Sequence, residues 1–227
     1  ILDEILKFNN KIKFYQASSS EMFGSEKSSV KNESTQFMPS SPYAISKLYA
    51  YWQTKLYREA YDVFAVNGIL FNHESPLRGL EFVTRKISNE VAKISLGISK
   101  KLELGNIYAK RDWGYAPEYV EGIWKSLQVK NPDDYVMATN ESHSVKEFVE
   151  KACDVAGISI KCLKTSKKNL RPFDVNNLQG NYSKAKAKLG WKPKTKFNDL
   201  VKIMVEEDIH RWEQRLKGEY LPWDAGN

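Results

Sequence analysis

Phe64-Ala65-Val66-Asn67-Gly68-Ile69-Leu70-Phe71 runs for eight residues without a charge. A short apolar run bounded by polar residues suits a parallel strand buried on both faces. Before it stands Ser41-Pro42-Tyr43-Ala44-Ile45-Ser46-Lys47, continuing to Tyr61. Ser41 suits an N-cap and Pro42 the first helical position. Leu48, Tyr51, Trp52 and Leu56 follow at helical spacing. Further upstream, Ile12-Lys13-Phe14-Tyr15-Gln16-Ala17 reads as another strand. Strand, helix, strand makes a βαβ unit, so the expected fold is α/β with a parallel sheet.

Both strands run into polar clusters: Ser18-Ser19-Ser20-Glu21 after the first, and Asn72-His73-Glu74-Ser75-Pro76-Leu77-Arg78-Gly79 after the second. Open α/β sheets bind ligands off the carboxyl ends of their strands. These two clusters are therefore the first places to look for a site. Outward from this unit, helices are expected over 1–9, 82–96, 117–129, 144–155, 183–189 and 199–216, and strands over 102–105 and 135–139. Ser144 and Glu147 have capping-box spacing. Residues 25–39 read as a polar loop.

The totals exclude several classes. Hydrophobic residues make up 41% and charged residues 28%, as in a soluble globular protein. The longest nearly uncharged apolar run, Val63 to Phe71, is far too short to span a bilayer. The charged N-terminus has no secretory signal pattern, and without an initiator methionine it reads as the middle of a longer chain. Cys153 and Cys162 lack the partners of a zinc site and suit reduced structural thiols in a cytoplasmic protein. The net charge is +7, with twelve Lys or Arg against two Asp between Lys151 and Lys196. That region lacks interleaved aromatics and zinc-finger spacing, so a solvated basic surface is favoured over nucleic-acid binding.

Tyr43 and Lys47 lie four apart on one helix face. A tyrosine titrates near ~10 and is a poor base at neutral pH, and a neighbouring ammonium favours its phenolate. The pair suits proton transfer; two unrelated surface residues is the plain alternative. The βαβ topology puts Ser19 and Glu21 on the same sheet edge. Ser19 could hydrogen-bond a substrate oxygen, and Glu21 could supply a second acid or base. His73 could meet a cofactor amide and Arg78 a phosphate. Arg111 and Arg171, on separate loops, could clamp a diphosphate or simply form surface ion pairs. None of the twelve glycines forms a dinucleotide-binding fingerprint.

These words together resemble the extended short-chain dehydrogenase/reductase family, and closer still its GDP-mannose 4,6-dehydratase branch. The resemblance rests on Phe14-Tyr15-Gln16-Ala17-Ser18-Ser19-Ser20-Glu21-Met22-Phe23-Gly24, on Ser41-Pro42-Tyr43 through Lys47 to Trp52, and on Phe64 through Pro76. Phe82 to Ile87, Leu104-Gly105-Asn106, Ala109 to Gly114 and Leu189-Gly190-Trp191-Lys192-Pro193 extend it to nearly the whole chain.

The resemblance implies a partial Rossmann-like, doubly wound parallel sheet and a smaller C-terminal substrate domain. Residues 1–80 would be the later half of the NADP-binding domain. Residues 81–227 would be mainly the sugar-nucleotide domain, with some segments returning to the sheet. The family's Gly-rich loop and first strands would precede Ile1. The implied reaction turns GDP-mannose into GDP-4-keto-6-deoxymannose with NADP as a recycled cofactor. Ser19, Glu21, Tyr43 and Lys47 would be catalytic. Tyr43, Lys47, His73 and Arg78 would meet the cofactor. Ser20, Asn72, Lys86, Gly105, Arg111 and Arg171 would line the GDP-mannose site. Ser19 stands where the family often has threonine, Leu77 where it usually has arginine, and Phe173, Asp174 and Asn176 depart from its usual pattern. A homo-oligomer, dimer or tetramer, is expected of the full-length protein. A related sugar-nucleotide epimerase or reductase, or a non-catalytic truncated module, are the alternative readings, and this chain alone is expected to bind NADP weakly and turn over little.

Overall fold

The computed structural model describes residues 1–166, 175 and 177–219. The chain forms two compact units, interleaved in sequence. The first comprises residues 1–73, 111–142 and 177–194; the second comprises 74–110, 143–176 and 195–227. The helices are α1 (Leu2–Phe8), α2 (Pro42–Tyr61), α3 (Val83–Ser95), α4 (Ala116–Ser126), α5 (Val145–Ala156), α6 (Ser183–Leu189) and α7 (Phe197–Leu216).

The first unit is built on the expected strand. Ala65–Leu70 is buried at every position and pairs in parallel on both sides. Phe14–Ser19 lies along one side, from Phe14 opposite Ala65 to Ser19 opposite Leu70. Asp134–Met137 lies along the other, with Asn67 opposite Asp134. Alternation then sends side chains to two faces. Val66 and Leu70 pack with Tyr119, Tyr135, Met137, Ala185 and Trp191. Ala65 packs with Ile5 and Val63, flanked by Leu2, Leu6, Phe14 and Tyr57. Gly68 is required by this packing: a Cβ there would fall 1.9 Å from the Tyr15 hydroxyl.

Asn67, in the middle strand, is polar yet fully buried. Its amide donates to Asp134 Oδ1 at 2.9 Å and its oxygen accepts from Ser18 Oγ at 3.2 Å. Tyr51 Oη and Arg58 complete the network on the Asp134 carboxylate, at 2.7 and 2.9 Å. Burial opposes ionisation of Asp134, but Arg58, Asn67 and Tyr51 together hold its carboxyl below the usual range.

Helix α2 begins as expected. Ser41 Oγ accepts the Ala44 amide at 3.1 Å, and Pro42 occupies the first turn. Its buried face matches only part of the expected apolar stripe, with Tyr51 buried and Leu48 half-buried. Ala44, Tyr51 and Thr54 are buried, whereas Trp52 is 52% and Leu56 49% exposed. The buried polar network holds Tyr51, and Thr54 is satisfied within the helix, its Oγ1 donating to Ala50 O at 2.8 Å.

In the second unit α3 packs on α5 and α7, and α5 on α7. Ile87, Val91, Phe148, Val149, Ala152, Val201 and Met204 are buried there. The capping box opens α5: Ser144 Oγ accepts the Glu147 amide at 3.1 Å and the Glu147 carboxylate accepts the Ser144 amide at 2.6 Å. Leu102–Leu104 pairs in parallel with Leu163–Thr165, which the periodicity does not announce. Among the described residues, no helix is long and apolar enough to cross a membrane.

Candidate active site

The first strand ends at Ser19, and the chain turns at once into a short 3-10 helix, Ser20–Phe23. Ser19 caps it: its Oγ accepts the Glu21 amide at 3.2 Å. Met22 and Phe23 are fully buried and pin the turn, with Phe23 against Phe37 and Phe71. Met38 clasps it from outside, its amide donating to Met22 O at 3.0 Å and its carbonyl accepting from Ser25 at 3.1 Å. Glu21, between buried Ser20 and Met22, stays half-buried. The sequence marks the polar cluster but not the turn; its signal is the apolar Met22-Phe23 pair after the serines.

Tyr43 stands in the first turn of α2 with its side chain 54% exposed. Lys47, one turn on, reaches back to the strand. Its Nζ donates to Ala17 O at 2.9 Å and lies 5.7 Å from the Tyr43 ring centroid. The expected juxtaposition of helix start and strand end is therefore made by a specific bond, two residues before Ser19. One of the three ammonium N–H bonds is committed to Ala17, which fixes the direction of the other two. That arrangement fits a diol such as a nicotinamide ribose beside an accessible phenol.

Past the Ala65–Leu70 strand, where a polar loop is expected, Asn72 and His73 begin a further short strand, Asn72–Glu74, and are half-buried. His73 Nδ1 lies 2.9 Å from Phe71 O. Against a carbonyl that nitrogen can only donate, so Nε2 is an acceptor when the ring is neutral. The imidazole stacks on Tyr119, with centroids 5.1 Å apart. Arg111 is half-buried and precedes Asp112, which is wholly buried. Asp112 accepts from Thr139 N and Oγ1 at 2.8 and 2.7 Å and from Gly180 N at 3.2 Å. Burial pushes its carboxyl up to about 7, against those hydrogen bonds.

Arg78, Lys86 and Gly105 belong to the second unit. Arg78 Nε lies 3.2 Å from Glu74 Oε2, and its guanidinium sits 3.5 Å over the Phe82 ring. Glu74 is buried and also accepts from Thr84 Oγ1 at 2.7 Å. Lys86 is exposed, and Gly105 follows directly on the Leu102–Leu104 strand. Leu77, before Arg78, is exposed. Arg171, Phe173, Asp174 and Asn176 lie outside the described residues. Ser20 is buried at the foot of the 3-10 turn. Among the described residues no group of three His, Cys, Asp or Glu side chains could hold a metal ion.

The sequence profile of the family described as GDP-mannose 4,6 dehydratase matches residues 1–204. GDP-mannose 4,6 dehydratase 1 of Arabidopsis thaliana is 53% identical over 216 residues, covering 95% of this chain and 58% of that protein. The Homo sapiens GDP-mannose 4,6 dehydratase is 51% identical over 218 residues, covering 88% of this chain and 59% of that one. The chain thus spans somewhat over half the length of these relatives. Among solved structures, the dTDP-glucose 4,6-dehydratase of Bacillus anthracis in complex with NAD superposes with a TM-score of 0.83 at 23% identity, covering 98% of this chain and 68% of that one. RMD of Pseudomonas aeruginosa complexed with NADPH gives 0.80 at 20% identity, covering 88% and 67%. The structural likenesses establish the Rossmann-like α/β fold. The sequence likeness goes further, and by it the chain belongs to the GDP-mannose 4,6-dehydratase family.

Proposed function

We propose that the protein containing this chain is a GDP-mannose 4,6-dehydratase that converts GDP-mannose into GDP-4-keto-6-deoxymannose. The observation that carries the reading is the Lys47–Ala17 hydrogen bond, which joins the Tyr43–Lys47 pair to the strand ending in Ser19 and followed by Glu21. The family membership supports the same reading. Bound NADP supplies the chemistry of taking a hydride from sugar C4 and returning it at C6. Tyr43 takes the proton of the C4 hydroxyl, and Ser19 hydrogen-bonds the same oxygen. Lys47 orients the nicotinamide ribose with the two N–H bonds that Ala17 does not take. Once C4 is a ketone, the C5–H is acidic enough for a carboxylate, and Glu21 removes that proton. Glu21 passes it to the C6 hydroxyl, which departs as water. C5 is then reprotonated from solvent, which balances the C4 hydroxyl proton that Tyr43 took and gives up. His73 and Arg78 bind the cofactor. Ser20, Asn72, Lys86, Gly105, Arg111 and Arg171 bind the GDP-mannose. Glu21 separates this reaction from a simple epimerisation, which needs no acid or base at C5 and C6.

The test is the full-length protein with GDP-mannose and NADP, followed by mass and proton NMR in deuterium oxide. Loss of one water and solvent deuterium at C5 are expected. An epimerised sugar with its water retained would sink the dehydratase and favour an epimerase. Replacing NADP by NAD in the same assay tests the cofactor preference. The free thiols Cys153 and Cys162 support a cytoplasmic location. The exposed α2 stripe of Ile45, Tyr49, Trp52 and Leu56 supports a homo-oligomer, which sedimentation of the full-length protein tests.

A further inference from the structure

Cys153 and Cys162 take no part in the reaction above, yet their sulfur atoms lie 3.9 Å apart. Cys153 is buried near the end of α5, and Cys162 is half-buried at the end of the Ile160–Cys162 turn, within the same unit. The backbone between them is stiff at both ends. Gly157 closes α5 with φ +66, and the Ile158 amide returns to Cys153 O at 3.0 Å. Ser159 caps the next turn, its Oγ accepting the Lys161 amide and its carbonyl the Cys162 amide, both at 3.3 Å. A disulfide needs its sulfurs about 2.05 Å apart. The two atoms are already in van der Waals contact, so side-chain rotation with slight backbone give closes the gap.

The two thiols are not equivalent. Burial, and then the neighbouring Cys162, push the Cys153 thiol up to about 12. Cys153 therefore stays protonated at neutral pH and is a poor first nucleophile. Cys162 is the sulfur that a soluble oxidant reaches.

We propose that Cys162 and Cys153 are a peroxide-reactive pair that forms a reversible intramolecular disulfide, Cys162 reacting first and Cys153 resolving. The Cys162 thiolate attacks one oxygen of hydrogen peroxide, the O–O bond breaks, and the departing hydroxide takes a proton to become water. Cys162 is then a sulfenic acid. The Cys153 sulfur attacks the Cys162 sulfur, the S–O bond breaks, and the Cys153 proton leaves with the hydroxide as a second water. Two thiols lose two electrons and one peroxide becomes two waters. A dithiol reverses the bond by exchange. Cys162 directly precedes the Leu163–Thr165 strand, which pairs with Leu102–Leu104. The disulfide therefore staples that ribbon to α5.

The full-length protein is treated with hydrogen peroxide, blocked with N-ethylmaleimide under denaturing conditions and mapped by mass spectrometry. A linked Cys153–Cys162 peptide pair, lighter by two hydrogens and released by dithiothreitol, is expected. In Cys153→Ser, dimedone should trap a sulfenic acid at Cys162; in Cys162→Ser, Cys153 should stay unmodified. Native alkylation of the untreated wild type should be at least about tenfold faster at Cys162 than at Cys153. Cys162 advancing to sulfinic acid with no linked peptide would overturn the proposal, as would equal alkylation rates. The wild-type mapping and rates decide even if a variant fails to fold.

Discussion

Lys47 donates a hydrogen bond from Nζ to the carbonyl oxygen of Ala17, 2.9 Å away. The two residues are thirty apart in sequence and belong to a helix start and a strand end. The bond turns a helix-spacing coincidence into a fixed position for Tyr43 and Lys47 at the carboxyl edge of the sheet. It also occupies a cation that would otherwise sweep a wide volume on a flexible stem.

Replacing Lys47 separates these two roles. Lys47→Met removes the ammonium and keeps the stem. Turnover of GDP-mannose by the full-length protein is expected to fall by about 10²-fold or more, the scale of a lost acid–base partner. Stability is expected to change by no more than about 1 kcal/mol, because the bond is only partly shielded from water. Steady-state rates and urea melts check both. A variant with wild-type turnover would remove Lys47 from the mechanism.

Glu21→Gln should stop the sequence of events in the middle. The 3-10 turn depends on the Ser19 hydroxyl accepting the Glu21 amide and on buried Met22 and Phe23, none of which the substitution touches. The fold should therefore persist, with unchanged circular dichroism. Water loss should fall by about 10²- to 10⁴-fold, as for removal of a positioned acid–base group. Solvent deuterium should no longer enter C5. Retained exchange at C5 would assign that proton to another residue.

The middle of the sheet was legible because its signal is local. Eight uncharged residues gave the Ala65–Leu70 strand, Ser41-Pro42 gave the start of α2, and Ser144 with Glu147 gave the start of α5. What escaped depends on partners far away in sequence. Tyr51, Trp52 and Leu56 all look like core positions on a helical wheel, but only Tyr51 finds a partner inside, Asp134, 83 positions later. The same holds for Asp112, whose neighbours in sequence, Arg111 and Trp113, say nothing of Thr139 and Gly180. Ser19, Glu21, Tyr43 and Lys47 can be singled out as candidates because residue type, a strand end and the four-residue spacing of Tyr43 and Lys47 are visible in the sequence. The Ala17 carbonyl that fixes Lys47 cannot, because every residue has one.

Asp112 gives a pH dependence. Burial raises its folded pKa to about 7, whereas an unfolded aspartate titrates near ~3.9. A raised folded pKa contributes stability that is full below the unfolded value and is lost as pH rises through the folded value. The protonated carboxyl can donate to Thr139 Oγ1, which can donate onward to Glu141 O at 3.2 Å. Urea midpoints are therefore expected to fall between about pH 4 and 7 in the wild type, and to flatten in Asp112→Asn. Equal slopes in the two proteins would show that Asp112 is not the group responsible.

Asp208 carries the largest expected stability loss. Its carboxylate is buried on α7 and takes Arg85 Nε at 3.0 and 2.9 Å and Ser88 Oγ at 2.5 Å. Arg211 lies 3.7 Å away. Arg85 also donates to Pro76 O at 2.6 Å and Arg78 O at 3.0 Å, and Arg211 donates to Pro76 O at 2.5 Å. The network thus fixes α3 against α7 and holds the loop that carries Arg78. Asp208→Ala leaves the buried Arg85 guanidinium without its anion, while Arg211 keeps Glu207 at 3.3 Å, so unfolding free energy should drop by about 3–5 kcal/mol. Adding Arg85→Met to that variant removes the more tightly coupled cation and should recover part of the loss. Strict additivity of the two substitutions in denaturant melts would mean that the pair is not coupled. In the double variant Arg78 O loses its Arg85 donor while Pro76 O keeps Arg211, and under the proposed binding role of Arg78 the cofactor KM should rise more than kcat falls.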